Sequence, residues 1–169
     1  LGLQLNEEKS YILDPRQHGT SFTYLGYTFQ IKGKHVNITI SQQKMNVIKS
    51  RITKPFVRYF KDHDYDLLKL RIKFLTGNFT LYNPHTLQPI KVGIYFNYKM
   101  ATEVSALKDL DTYYQRLLHC RIGKLGSAIS LTKSHVKELE KYSFYFGYNN
   151  HVNHYFTTNQ MVKIAECWR

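Results

Sequence analysis

Between residues 22 and 40, β-branched and aromatic side chains lie on both sides of Gly33, which is the pattern of a β-hairpin. In the second arm Val36, Ile38 and Ile40 alternate with Asn37 and Thr39, so one face is buried and the other wetted. The first arm carries Gly26 in its middle, which marks either a bulge or a place where another backbone or a ligand comes close. Ser41 then stands where an N-cap belongs. Met45, Ile48, Ile52, Phe56 and Tyr59 recur at steps of three and four, predicting a helix over 42–61 with one apolar stripe. Lys44, Arg51, Lys54, Arg58 and Lys61 share a second face of the same helix, and Pro55 predicts a kink or a break inside it.

After an acidic stretch, 62–66, Asp66 is placed to cap a helix over 67–75 that ends at Gly77-Asn78. The alternating carboxylates of that stretch lack the glycine and closing glutamate of a calcium loop, which argues against metal binding there. Pro84 and Pro89 frame a connector, and 90–98 fits either a strand or a buried apolar turn. Leu107, Leu110, Tyr114, Leu117 and Leu118 predict a helix over 103–121 with Gly123 as its stop. Two more helices are expected over 134–145 and 158–168, with an aromatic turn at 144–150. His151 and His154 have no third partner at a recognisable metal spacing, so satisfied or exposed histidines are the expectation. The sum is an α+β chain, a hairpin-bearing segment over 1–40 followed by a mainly helical region over 41–169.

Charge narrows the class of partner. Lys and Arg total 24 against 12 Asp and Glu, a net +12, and such a surplus draws polyanions through long-range fields and counterion release. Nucleic acid comes first, an anionic membrane second. No apolar run approaches the roughly 20 residues of a membrane-spanning helix. Fourteen Tyr and ten Phe supply rings that pack in a core or stack on bases. Cys120 and Cys167 stand in no metal or redox spacing, which suits a reducing, cytoplasmic setting. The sequons at Asn37 and Asn78 would matter only after secretion, and the chain opens without initiator Met or signal-like segment, as a piece of a longer protein would.

Two segments carry a family resemblance. Leu1-Gly2-Leu3-Gln4-Leu5-Asn6-Glu7-Glu8-Lys9-Ser10 followed by Phe22-Thr23-Tyr24-Leu25-Gly26-Tyr27-Thr28-Phe29 resembles the end of a reverse transcriptase palm. There an LGL-x-LN-x-x-K-[ST] helix end precedes a hairpin called the primer grip. The strict match covers residues 1 to about 40, and the basic helix with further helices behind it is similar in layout to the family's thumb. The segment 71–81 looks like bacterial antiphage-defence members of the family, with retron and group II intron enzymes as near competitors.

The resemblance implies an RNA template, a DNA primer and product, dNTP substrates and Mg²⁺ in the parent enzyme. The metal-holding aspartates of the family, an early Asp and a Tyr-x-Asp-Asp motif, do not occur in these 169 residues, so the segment by itself is expected to be inactive. Lys9 matches the motif lysine, an auxiliary catalytic cation near the triphosphate, or else a solvated lysine at a helix end. Phe22, Tyr24, Leu25, Gly26 and Tyr27 match the primer grip, although alternation prevents all their side chains from facing the same partner. Lys44, Arg51, Lys54 and Arg58 would lie along the template–primer duplex, with Arg71 and Lys73 extending the track or merely surface-exposed. A non-catalytic RNA- or DNA-binding module is the alternative, and a membrane or scaffold domain a weaker third.

Overall fold

The computed structural model of the chain describes Asp14 and residues 19–83, 85–120 and 131–168. Strands β1 (Ser21–Tyr24), β2 (Tyr27–Lys32) and β3 (His35–Ile40) make an antiparallel sheet in that order. β2 and β3 turn at Gly33 in register Tyr27 to Ile40, as the alternation predicts. The first arm differs from expectation. Leu25 (φ 48) and Gly26 (φ 84) form a two-residue turn between the paired Tyr24 and Tyr27, so the arm is itself a hairpin and Gly26 is a turn residue rather than a bulge.

Ser41 caps helix α1 (Gln42–Asp62) by accepting from the Lys44 backbone N–H at 3.3 Å. All five residues of the predicted apolar stripe are buried, and the helix is not broken at Pro55. His63 closes α1 in the left-handed region, its N–H donating to the Tyr59 carbonyl, which lets Asp64 rather than Asp66 cap α2 (Tyr65–Thr76). The connector then forms a second hairpin, β4 (Asn78–Tyr82) with β5 (Pro89–Gly93), followed at once by α3 (Ile94–Tyr98). Both options for 90–98 are therefore realised in part.

Helix α4 (Ser105–Leu118) buries Leu107, Leu110, Tyr114 and Leu118 against α1. The expected helix over 134–145 is two shorter ones, α5 (Lys133–Leu139) and α6 (Phe144–Asn149). Asp111 of α4 explains the restart: its carboxylate accepts from Ser143 Oγ at 2.6 Å and from the backbone N–H groups of Phe144 and Tyr145. Helix α7 (Thr158–Ala165) starts with a capping box at Thr157 and runs into a 3₁₀ turn, Glu166–Trp168. None of the described helices is long and apolar enough to cross a membrane.

One buried cluster joins these parts. Ile40, at the end of the sheet, shares it with Met45, Phe56, Leu110 and Tyr114. The sheet is also pinned by polar contacts: Tyr27 donates its hydroxyl to the Asn97 carbonyl at 2.7 Å, and the Ile38 backbone N–H donates to Thr102 Oγ1 at 2.9 Å. At the far side Asn78, 0% exposed, gathers four segments. Its Oδ1 accepts from the Tyr95 backbone N–H at 2.9 Å, and its Nδ2 donates to the carbonyls of Val152 and Gly147 at 3.1 and 3.4 Å. Replacing Asn78 by Ala strands these buried groups, and urea denaturation should show a loss of about 3 kcal/mol. A loss below about 1 kcal/mol would mean that water replaces the amide.

Candidate nucleic-acid interface

The Leu25–Gly26 turn sits on the start of α1. The Ser41 backbone N–H donates to the Gly26 carbonyl at 2.9 Å, and the aliphatic stem of Lys44 lies where a Cβ on Gly26 would touch it at 3.6 Å. The turn is prominent, with Leu25 79% and Tyr24 62% exposed. A bulky residue with positive φ is strained, and here that strain holds an apolar side chain outward at a hairpin tip. Phe22 and Tyr27 behave differently from their neighbours. Phe22 stacks on Phe29 at 4.8 Å within the sheet, and Tyr27 packs against the core with its hydroxyl bonded. Of the five motif residues, Tyr24 and Leu25 are exposed at the turn and Gly26 is half-buried beside them.

From this turn the exposed face of α1 runs through Lys44, Arg51, Lys54, Arg58 and Lys61. Fourteen residues at 1.5 Å each place Arg58 about 21 Å along the axis from Lys44. Among the described residues no carboxylate pairs with Lys44, Lys54 or Lys61, whereas Arg58 Nε is 3.2 Å from Asp62 Oδ2. Between the cations stand Gln43, Asn46, Val47 and Ser50, which line a shallow groove with Arg51, Lys54 and Trp168. Small and amide side chains flanked by cations can touch sugar edges and phosphates together.

Trp168 is the neighbour of this face that sequence reading missed. Pro55 has no N–H, so the Arg51 carbonyl four residues earlier lacks its helical donor. The indole Nε1–H of Trp168 donates to that carbonyl at 3.0 Å, and the Arg51 guanidinium lies over the same ring, 5.5 Å from its centroid. The 3₁₀ turn also brings Glu166 and Cys167 beside Lys54, Arg58 and Lys61, and burial pushes the Cys167 thiol up. The only local signal was a proline inside a helix with a tryptophan far downstream.

The track does not extend onto α2. Arg71 is 1% exposed, and its guanidinium donates to the Lys163 carbonyl at 3.2 Å near the end of α7. It is an interior residue, a correction to its expected place on the binding surface; the helical phase puts it beside Leu68 and Ile72 on the buried side of α2. Lys73 is half-buried near His154, whose pKa is lowered first by its own burial and second by the Lys73 charge. His151 packs on Tyr95 at 3.8 Å with the rings tilted by 40°, and the backbone N–H of His154 donates to the Asn78 carbonyl. Asp62 and Asp64 are engaged with Arg58 and the cap of α2. Lys9 lies outside the described residues.

The indole bond has a measurable signature. Trp168→Phe should cost about 1 kcal/mol in the native background and less than half of that when Pro55→Ala restores the missing N–H. Equal costs in a double-mutant cycle would assign the effect of Trp168 to packing alone. Comparison with protein-family models, curated proteins and solved structures finds no match for the chain.

Proposed function

We propose that this chain is the template–primer-holding part of an RNA-directed DNA polymerase of the bacterial antiviral-defence kind, comprising the palm's end and the thumb. The observation that supports it best is the seating of the Leu25–Gly26 turn on Lys44, because it joins the primer-grip-like hairpin and the cationic face of α1 into one continuous surface. A duplex would lie along α1, phosphates against Lys44, Lys54 and Lys61, with the strand end at the exposed turn. A hybrid helix is recognised by shape and backbone, which suits a face with cations and small polar side chains. In this reading Mg²⁺ would be held by carboxylates that these 169 residues do not contain and would bind the dNTP phosphates, and Lys9 would act on the leaving pyrophosphate.

Charge reversal at Lys44 and Lys54 tests the surface. Binding of an RNA–DNA hybrid should weaken roughly tenfold or more, and each lost phosphate contact should lower the magnitude of the log–log salt slope by nearly one. An unchanged slope with weaker binding would move the effect to folding. Lys54 is the better single probe than Arg58, whose charge already meets Asp62.

The strained tip gives a second test, since Leu25→Asn suits a positive φ better. It should raise stability by about 0.5–1 kcal/mol while weakening hybrid binding, the trade-off of a residue kept for contact rather than for the fold. Higher stability with undiminished binding would remove Leu25 from the interface.

A further inference from the structure

A cavity of about 250 Å³ opens between α1, the β4–β5 hairpin and α3. Its walls are chiefly Phe74, Phe79, Ile94, Tyr98 and Phe144. Two features distinguish it from a packing defect. Tyr98 is 8% exposed, and while its carbonyl accepts from Tyr148, its hydroxyl has no hydrogen-bond partner among the described residues. That leaves the hydroxyl able to bond a guest that enters the cavity. Burial pushes this phenol up to about 12, so it remains neutral and able to donate or accept near pH 7.

The second feature is Arg51, which lines both this cavity and the groove along α1. Its guanidinium rests on Trp168, which packs on Phe74 at 5.5 Å, and Phe74 packs on Phe79 at 4.6 Å. A cation thus stands where an aromatic series enters the cavity wall. Asn97, exposed, adds an amide at the rim.

We propose that this cavity receives one unpaired nucleobase of a single strand, with the adjoining phosphate on Arg51. Drug-sized ligands need pockets from about 300 Å³ upward, so the space suits a single planar ring better than a larger guest. Aromatic walls favour a π-face, the Tyr98 hydroxyl offers one polar partner for a ring edge, and the guanidinium at the mouth selects a guest that carries an anion. Position agrees with this: a strand leaving the face of α1 passes Arg51 before it reaches the opening. The proposal rests on the reading of that face as a nucleic-acid surface.

The test compares a uridine 12-mer with an abasic 12-mer of the same backbone, at one salt concentration, on the whole 169-residue chain. The uridine strand should bind about tenfold more tightly, as one stacked base allows. A 5-iodouridine strand should photocross-link to peptides within 74–81 or 94–98. Equal affinity of the two strands, or cross-links confined to 42–61, overturns the base pocket. Lys54→Glu separates the two levels: it should weaken both strands alike. If it weakens both while base preference is absent, the cationic surface stands and the pocket falls. If it weakens neither, the reading of the surface falls and takes the pocket with it.

Discussion

Asn78 is the constraint on which the arrangement around the cavity depends. A fully buried amide must spend its donors and acceptor on defined partners, and here those are the first turn of α3, the middle of α6 and the segment after it. The backbone is drawn equally tight around it. A Cβ on Gly147 would collide with the Thr76 carbonyl, and Gly93, at φ 122, lies so close to Asn78 that only glycine fits. Consequently the β4–β5 hairpin leaves α2 after the single residue Gly77, and Phe79, Gly93 and Ile94 are held as cavity wall.

A second coupling ties that wall to the surface of α1. Pro55 frees a carbonyl, Trp168 fills the vacancy, and the same indole carries the Arg51 guanidinium on its face. One ring thereby does in tertiary structure what a backbone N–H would have done locally, and it fixes a cation that would otherwise sample several rotamers. Affinity for a polyanion comes mainly from the less constrained lysines, whereas Arg51 is preorganised for a particular place. The face of α1 is therefore uneven: Arg58 is damped by Asp62, Arg51 is stacked, and Lys44 doubles as the seat of the hairpin turn.

Periodicity made much of this visible beforehand. The apolar stripe of α1, its Ser41 cap and the inner face of α4 follow from spacing, since each is decided by neighbours within one or two helical turns. The β2–β3 hairpin does too. The two-residue turn at Leu25–Gly26 was hidden because such turns usually show Asn or Asp before Gly, and Leu in the left-handed region carries no sequence signature. The β4–β5 hairpin was hidden behind its prolines, although Pro89 needs no N–H at the first position of an edge strand.

Local sequence thus determined where α1 starts, which faces of α1 and α4 are apolar, and that one face of α1 is cationic without interleaved acids. Only the tertiary structure decided that Arg71 goes inside, that Asp111 breaks the 134–145 segment in two, and that Trp168 lies under Arg51. Each of these turns on partners 32 or more residues away: the Arg71 bond to Lys163 at a separation of 92, the Trp168 bond to Arg51 at 117, and the nearest, Asp111 to Ser143, at 32. A polar group's place is set by who satisfies it, and that identity is not written in the spacing of its own neighbours.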